Sequence, residues 1–337
     1  PPNEGGSQRH ILEIAKNLDK KKFDVTIITQ KGTLCRKFAN CIELDLGDLK
    51  GYSQSLEFYK KVKKLIKKIG GFDLIHVHEN YLFLMVKDFK KLSDKVVLTV
   101  HGLKGFKFYD NKLLWYFFKR KMLMADVLIV VSKTDEEILK RNFNNIICIP
   151  NGVDLSLYNK NYKNEKKISF IGRLHPQKGL IYLLEAFDSL SKEHPGFTLE
   201  IIGEMNDYGK ALKKKFKNPN IIWRGLMSDR SEIAKNLSSS YCIVLPSLWE
   251  GLPLTLFEAL ASGRPVILSD IPAFKSVIDN EALFFKSKDS KDLAVKIDIL
   301  IKDPKKATFY SKKGKSLSMK YGWKEITRNL EAVYNEK

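Results

Sequence analysis

Glu250 and Glu258 lie eight positions apart in WEGLPLTLFEALASGRP, residues 249–265. A carboxylate is a double acceptor, suited to the paired hydroxyls of a sugar or a ribose. Pro253, between the two, suits the first turn of a helix, where its missing N–H costs nothing. This predicts Leu254, Thr255 and Glu258 in or near the first turns. The free backbone N–H groups there, together with the helix dipole, form an anion seat. The segment therefore offers a phosphate seat flanked by two hydroxyl clamps. The plainer reading, one capping glutamate and one solvated one, is the commoner outcome for an isolated pair.

A second stretch carries the opposite charge. In IGRLHPQKGL, residues 171–180, a strand ends at Gly172, Arg173 and Lys178 follow, and a helix starts near Gly179. Two cations at the C-terminal end of a strand suit a diphosphate. Taken alone, they equally describe two surface cations on a loop. The stretch lacks the GxxxxGK[ST] pattern of a phosphate-binding P-loop. No DxD occurs in the sequence either, and that motif would be a natural carboxylate seat for a divalent metal on a diphosphate. Protein cations are thus expected to take the metal's role, with no metal and no cofactor. His101, in TVHG (99–102), sits at a strand end, where functional groups gather. His76 and His78 alternate along DLIHVHEN and share a face, but with no third ligand in view they read as structural.

The elements that must position these residues come in two series. DVTIIT (24–29), DLIHVH (73–78), KVVLTVHG (95–102), ADVLIVVS (125–132) and NIICIPNG (145–152) are apolar on both parities. KISFIGR (167–173), FTLEIIG (197–203), NIIWRG (220–225), YCIVLPS (241–247), RPVILSD (264–270) and ALFFK (282–286) repeat the pattern. Amphipathic stretches separate them, so they read as parallel strands buried on both faces. Two doubly wound α/β domains follow, at 1–152 and 165–320, with ligands expected beyond the C-terminal strand ends. Gly5 and Gly6 read as the loop before a helix at 8–18. The strand that should feed that loop is not in the sequence, so a first strand is expected to be missing.

The chain has 337 residues, 44% hydrophobic, and a net charge of +20. Such charge favours phosphate-rich ligands, anionic membranes or nucleic acid without choosing among them. The lysines are scattered and no nucleic-acid motif occurs. Cys35, Cys41, Cys148 and Cys242 form no CxxC pair, and they read as reduced thiols of a cytoplasmic protein. SLEFYKKVKKLIKKIGG (55–71) is a basic amphipathic helix. It fits an anionic membrane surface as well as it fits a helix packed on a sheet with solvated lysines. LKGFKFYDNKLLWYFFKRK (103–121) adds aromatics mixed with lysines.

The set GG (5–6), TVHG, ADVLIVVS, PNGVD (150–154), GRLHPQKG and EGLPLTLFEALASGRPV (250–266) resembles, in order and approximate spacing, the group 1 family of retaining glycosyltransferases of GT-B architecture. The resemblance spans essentially the whole chain. It implies two Rossmann-like domains facing across a cleft, with 321–337 returning to the first. It also implies a UDP- or GDP-sugar donor and a glycan acceptor. If the basic helix 55–71 lies on a membrane, the acceptor is lipid-linked and the work is done at the cytoplasmic membrane face; the scattered lysines argue against nucleic acid as a partner. Glu258 would hold the ribose and Glu250 the donor sugar's hydroxyls. Arg173 and Lys178 would bind the diphosphate beside Gly172 and the N–H groups near Leu254 and Thr255. Gly5 and Gly6 would let their loop approach the phosphates, and His101 would face the transferred sugar. Gln8 stands where many relatives carry Glu, and EMNDYG (204–209) replaces a Gly-rich turn near the expected base. A nucleotide-sugar epimerase, a basic nucleic-acid-binding protein and a non-catalytic binding protein on the same fold are the competing readings.

Overall fold

The computed structural model describes residues 6–31, 35, 39–47, 51–78, 80–103 and 111–336. Gly5 and residues 104–110 lie outside them. The chain divides into two compact units, residues 1–151 with 323–337 and residues 152–322.

In the first unit, β1 (Thr26–Gln30) and β2 (Asn40–Leu44) form a parallel pair. β3 (Phe72–Val77), β4 (Ser93–Val100), β5 (Val127–Val130) and β6 (Ile146–Cys148) form a parallel sheet in that order. Val96, Val97, Leu98, Thr99 and Val100 of β4 are all fully buried, as a strand covered on both faces must be. Ser132 caps the helix Lys133–Lys140, accepting from the Asp135 N–H at 3.2 Å.

The basic amphipathic stretch forms the helix Gly51–Ile66. Val62 and Ile66 are buried in the unit's core, with Phe58 and Tyr59 packed against it, while Lys60, Lys63 and Lys64 are exposed. The C-terminal half of its apolar stripe is therefore packed in the core, while Leu56 at its start remains 40% exposed. The helix Trp323–Asn335 belongs to this unit and packs on Gly6–Asn17, where the Asp19 N–H donates to Glu331 Oε1 at 2.8 Å.

In the second unit, β7 (Lys167–Ile171), β8 (Thr198–Ile202), β9 (Ile221–Gly225), β10 (Cys242–Leu245), β11 (Val266–Ser269) and β12 (Leu283–Phe285) form one parallel sheet. Its spatial order is β12-β11-β10-β7-β8-β9. The chain winds outward from β7 through β9, returns to the other side of β7 at β10, and winds outward again. Right-handed crossovers put helices on both faces of such a sheet. Phe170, Leu183, Phe187, Val244, Ile267 and Phe285 fill its core. Asp289 caps Ser290–Lys302 through the Lys291 and Asp292 N–H groups, and Asp303 caps Pro304–Ser318, which has proline at its first position.

The expected reduced state does not hold for two of the four cysteines. Cys35 and Cys41 are joined by a disulfide, their Cα atoms 6.0 Å apart; only Cys148 and Cys242 are free thiols. A search for CxxC passes over this pair because six positions separate the two. The tertiary approach of the Cα atoms, within the 4.4–6.8 Å that a bridge usually spans, decides the pairing.

Candidate active site

The strand order dictates where the second unit assembles chemistry. β7 and β10 are neighbours, yet their chains depart in opposite directions, so a crevice opens beyond their C-terminal ends. The loop after β7 carries Gly172, Arg173, Gln177 and Lys178. The loop after β10 carries Ser247 and Glu250. The two stretches that the sequence presents separately meet here: Lys178 Nζ donates to Glu250 Oε1 at 2.6 Å. Ser247 Oγ donates to the same oxygen at 2.7 Å, and Gln177 Nε2 reaches Glu250 Oε2 at 3.3 Å and the Trp249 carbonyl at 3.0 Å. Glu250 is thus fixed by three donors from two loops, which a solvated glutamate would not be.

Two glycines let the loops close on one another. Gly179 has φ +62°, and a Cβ on it would stand 1.9 Å from the Pro246 carbonyl oxygen. Gly203, at the end of β8, would push a Cβ to 2.2 Å from the Gly172 carbonyl oxygen. Asn206 ties the same corner, its Nδ2 donating to the Leu174 carbonyl at 2.7 Å while its Oδ1 accepts from the Gly209 N–H at 2.9 Å.

Pro253 is the residue just before the helix Leu254–Ala261, rather than part of its first turn, and no side chain caps that helix. Leu254 is buried and Thr255 half-buried at its first two positions. Glu258, 2% exposed, pairs with Arg230 at the start of the helix Arg230–Ser239. Arg173 is exposed and makes no ion pair with any described residue.

The first unit gathers histidines. His10, His76, His78 and His101 come from the helix Gly6–Asn17 and from the C-terminal ends of β3 and β4. His76 and His78 rings lie 4.0 Å apart, His10 and His101 4.9 Å, and His78 and His101 5.5 Å. His78 Nδ1 is 3.3 Å from His101 Nε2. His76 is held by the Tyr334 hydroxyl and by Thr99 Oγ1, each at 2.6 Å, and His10 Nδ1–H donates to Asn151 Oδ1 at 2.7 Å. Gly6 starts the helix that brings His10 in.

Burial lowers the pKa of His10 from 6.5 to about 4, despite the opposing bond to Asn151, and that of His76 to about 3, with His10 adding repulsion. Burial, then neighbouring histidines, holds His78 and His101 well below their ordinary value. All four are therefore neutral at pH 7. An unfolded chain takes up these protons near pH 6.5 and the folded one does not, so stability present above that pH is lost as pH falls. His10 alone should withdraw about 3 kcal/mol between pH 6.5 and 4. A thermal midpoint that stays level from pH 7 to pH 4.5 would contradict this.

Among these residues the sequence reading singles out Lys178, Glu250, Glu258, Arg173 and His101. It passes over Gln177, Ser247, Arg230 and His10. Arg230 and Ser247 belong to no pattern, and only the fold brings them to the two glutamates.

The family model "Glycosyl transferases group 1" matches residues 158–317, and "Glycosyltransferase Family 4" matches residues 4–157. The chain belongs to the group 1 glycosyltransferases, with the two-domain parallel α/β architecture known as GT-B. It is 29% identical, over 99% of its length and 95% of the relative's, to an uncharacterized glycosyltransferase of Methanocaldococcus jannaschii. It is 28% identical to the UDP-Gal:alpha-D-GlcNAc-diphosphoundecaprenol alpha-1,3-galactosyltransferase of Escherichia coli, over 82% of this chain and 79% of that one. Among solved structures it resembles sucrose-phosphate synthase from Thermosynechococcus elongatus, with a TM-score of 0.81 and 20% identity over 98% of this chain and 93% of that one. It also resembles Anabaena HepE in complex with UDP, with a TM-score of 0.81 and 15% identity over 99% and 97%. The epimerase and nucleic-acid readings draw no support from these likenesses. No helix among the described residues is long and apolar enough to cross a membrane.

Proposed function

We propose that the protein transfers a hexose from a UDP-sugar to a hydroxyl of a lipid-linked saccharide, with retention at the anomeric carbon and without a metal. The observation that carries this reading is the meeting of Lys178 and Glu250 at the β7–β10 switch, near the uncapped start of Leu254–Ala261. The uridine base is favoured over guanosine by the galactosyltransferase relative and by the UDP-bound structural neighbour. The lipid-linked acceptor is suggested by the same relative.

In this reading Arg173 and Lys178 hold the diphosphate, with the N–H groups of Leu254 and Thr255 completing the seat and Gly172 leaving room beside the Lys178 stem. Glu250 accepts from hydroxyls of the donor sugar, and Glu258, oriented by Arg230, accepts from the ribose. As the bond from the anomeric carbon to the phosphate oxygen breaks, charge grows on the leaving diphosphate, where the cations and helix N–H groups stabilise it. The acceptor oxygen attacks from the same face, and its proton passes to the departing phosphate oxygen. The work is placed on the cytoplasmic side of a membrane. The Cys35–Cys41 disulfide pulls against that placement, since reducing compartments disfavour such bonds.

Calorimetric titration of UDP and GDP in EDTA, with Glu258→Gln beside the parent, tests the reading. UDP should bind without metal, and Glu258→Gln should weaken it at least about tenfold through the lost charge-assisted acceptor. A folded parent that binds neither nucleotide would remove the proposal.

A further inference from the structure

The helix Lys112–Met122 of the first unit is apolar on two faces. Its inner stripe is in place: Phe118 and Met122 are buried in the unit's core and Trp115 packs against it. Its outer stripe is not covered. Leu113 is 66% exposed, Tyr116 51% and Phe117 57%, at positions i, i+3 and i+4, and Leu123 follows at 49%. A helix that is hydrophobic on both sides ordinarily has both sides covered.

The charge on this helix suggests what covers the second side. KLLWYFFKRKM contains no acid, and its last turn holds Lys119, Arg120 and Lys121. None of the three has an ion-pair partner among the described residues, although the Lys119 ammonium donates to Asn142 Oδ1. The Arg120 guanidinium lies 5.7 Å from the centre of the Tyr116 ring and donates to its hydroxyl, so cation and aromatic share the outer face. The exposed Leu84 belongs to the neighbouring segment Asn80–Met85, which packs on this helix. A second copy of the chain would bring the same cations with no carboxylate on the helix to meet them. An anionic bilayer meets both halves of the pattern: its interfacial layer accepts aromatic and leucine side chains, and its phosphates attract the lysines and arginine.

We propose that the outer face of Lys112–Met122 docks the protein on an anionic lipid surface, with Leu113, Tyr116 and Phe117 entering the interfacial layer and Lys119, Arg120 and Lys121 lying at the lipid phosphates. This deepens the lipid-linked acceptor reading above, but it is measured by binding rather than by transfer. Either can therefore fail while the other stands.

The test is co-sedimentation of the whole chain with phosphatidylglycerol–phosphatidylcholine vesicles and with phosphatidylcholine alone. Binding should require phosphatidylglycerol and weaken as salt rises. Joint substitution Tyr116→Ser and Phe117→Ser should lower partitioning roughly tenfold or more. Lys119→Gln and Lys121→Gln should lower it about fivefold each. These positions lie on the surface, so the variants should keep the parent's thermal midpoint. The proposal is overturned if the parent ignores phosphatidylglycerol vesicles, or if the serine variant binds them unchanged. It is equally overturned if the parent is a dimer in solution that the serine variant dissolves, or if only Lys60, Lys63 and Lys64 of Gly51–Ile66 matter.

Discussion

Alanine at Lys178 is expected to cut turnover by about 100- to 1,000-fold, the usual loss when one preorganised donor to a developing oxyanion is removed. Lys178 is the cation with a defined seat. Its ammonium is set at the switch point by Glu250, while Arg173 points to solvent. In the proposed reaction it exchanges Glu250 for the leaving diphosphate, where charge grows only in the transition state. The loss should therefore fall mainly on kcat, with a smaller change in KM. The fold should survive, because Ser247 and Gln177 still donate to the Glu250 carboxylate. The measurement is steady-state transfer from UDP-sugar with circular dichroism on the same sample. A folded variant with undiminished turnover would leave the Lys178–Glu250 pair as a purely structural tie.

The second large effect is on stability. Gly179→Ala should lower the thermal midpoint of the second unit by roughly 10 °C, corresponding to about 3 kcal/mol. Two costs combine there. The backbone at Gly179 is left-handed, a region that L side chains rarely adopt, and the added Cβ would overlap the Pro246 carbonyl oxygen. That carbonyl is backbone and cannot rotate aside. Relief requires the loop after β7 to part from the loop after β10, which breaks the bond from the Leu248 N–H to the Gln177 carbonyl at 2.7 Å. Nucleotide affinity should therefore fall together with the midpoint. A variant with the parent's midpoint would show that the loops have room the geometry denies them.

The central strands of both units, such as Ser93–Val100, Lys167–Ile171 and Val266–Ser269, were legible because strands buried on two faces need runs of Val, Ile, Leu and Phe. β2 was missed. NCIEL mixes polar and apolar residues, and its strand is half-exposed, so no pattern marks it. Pro253 lies one residue before its helix rather than in the first turn, a shift that local pattern does not resolve.

The site was legible in pieces. Lys178 and Glu250 could each be suspected from their local surroundings, but the contact between them joins positions 72 residues apart and depends on β10 inserting beside β7. Sequence alone holds that order only weakly. The histidine cluster was hidden for the same reason. His76 and His78 announce themselves by alternation, whereas His10 sits on a helix and His101 on another strand, and only packing assembles the four.

The strand order of the second unit also has a consequence for how the chain is made. β7 is the first strand of that unit to be synthesised, and β8 covers only one of its edges. The other edge stays open until β10 emerges. Until then Ile168 and Phe170, both sealed in the finished unit, stand in a bare parallel edge that can template pairing with another chain. Truncation or stalling before Cys242 should therefore yield an aggregating fragment rather than a smaller folded one, and the Lys178–Glu250 contact should be among the last features to form.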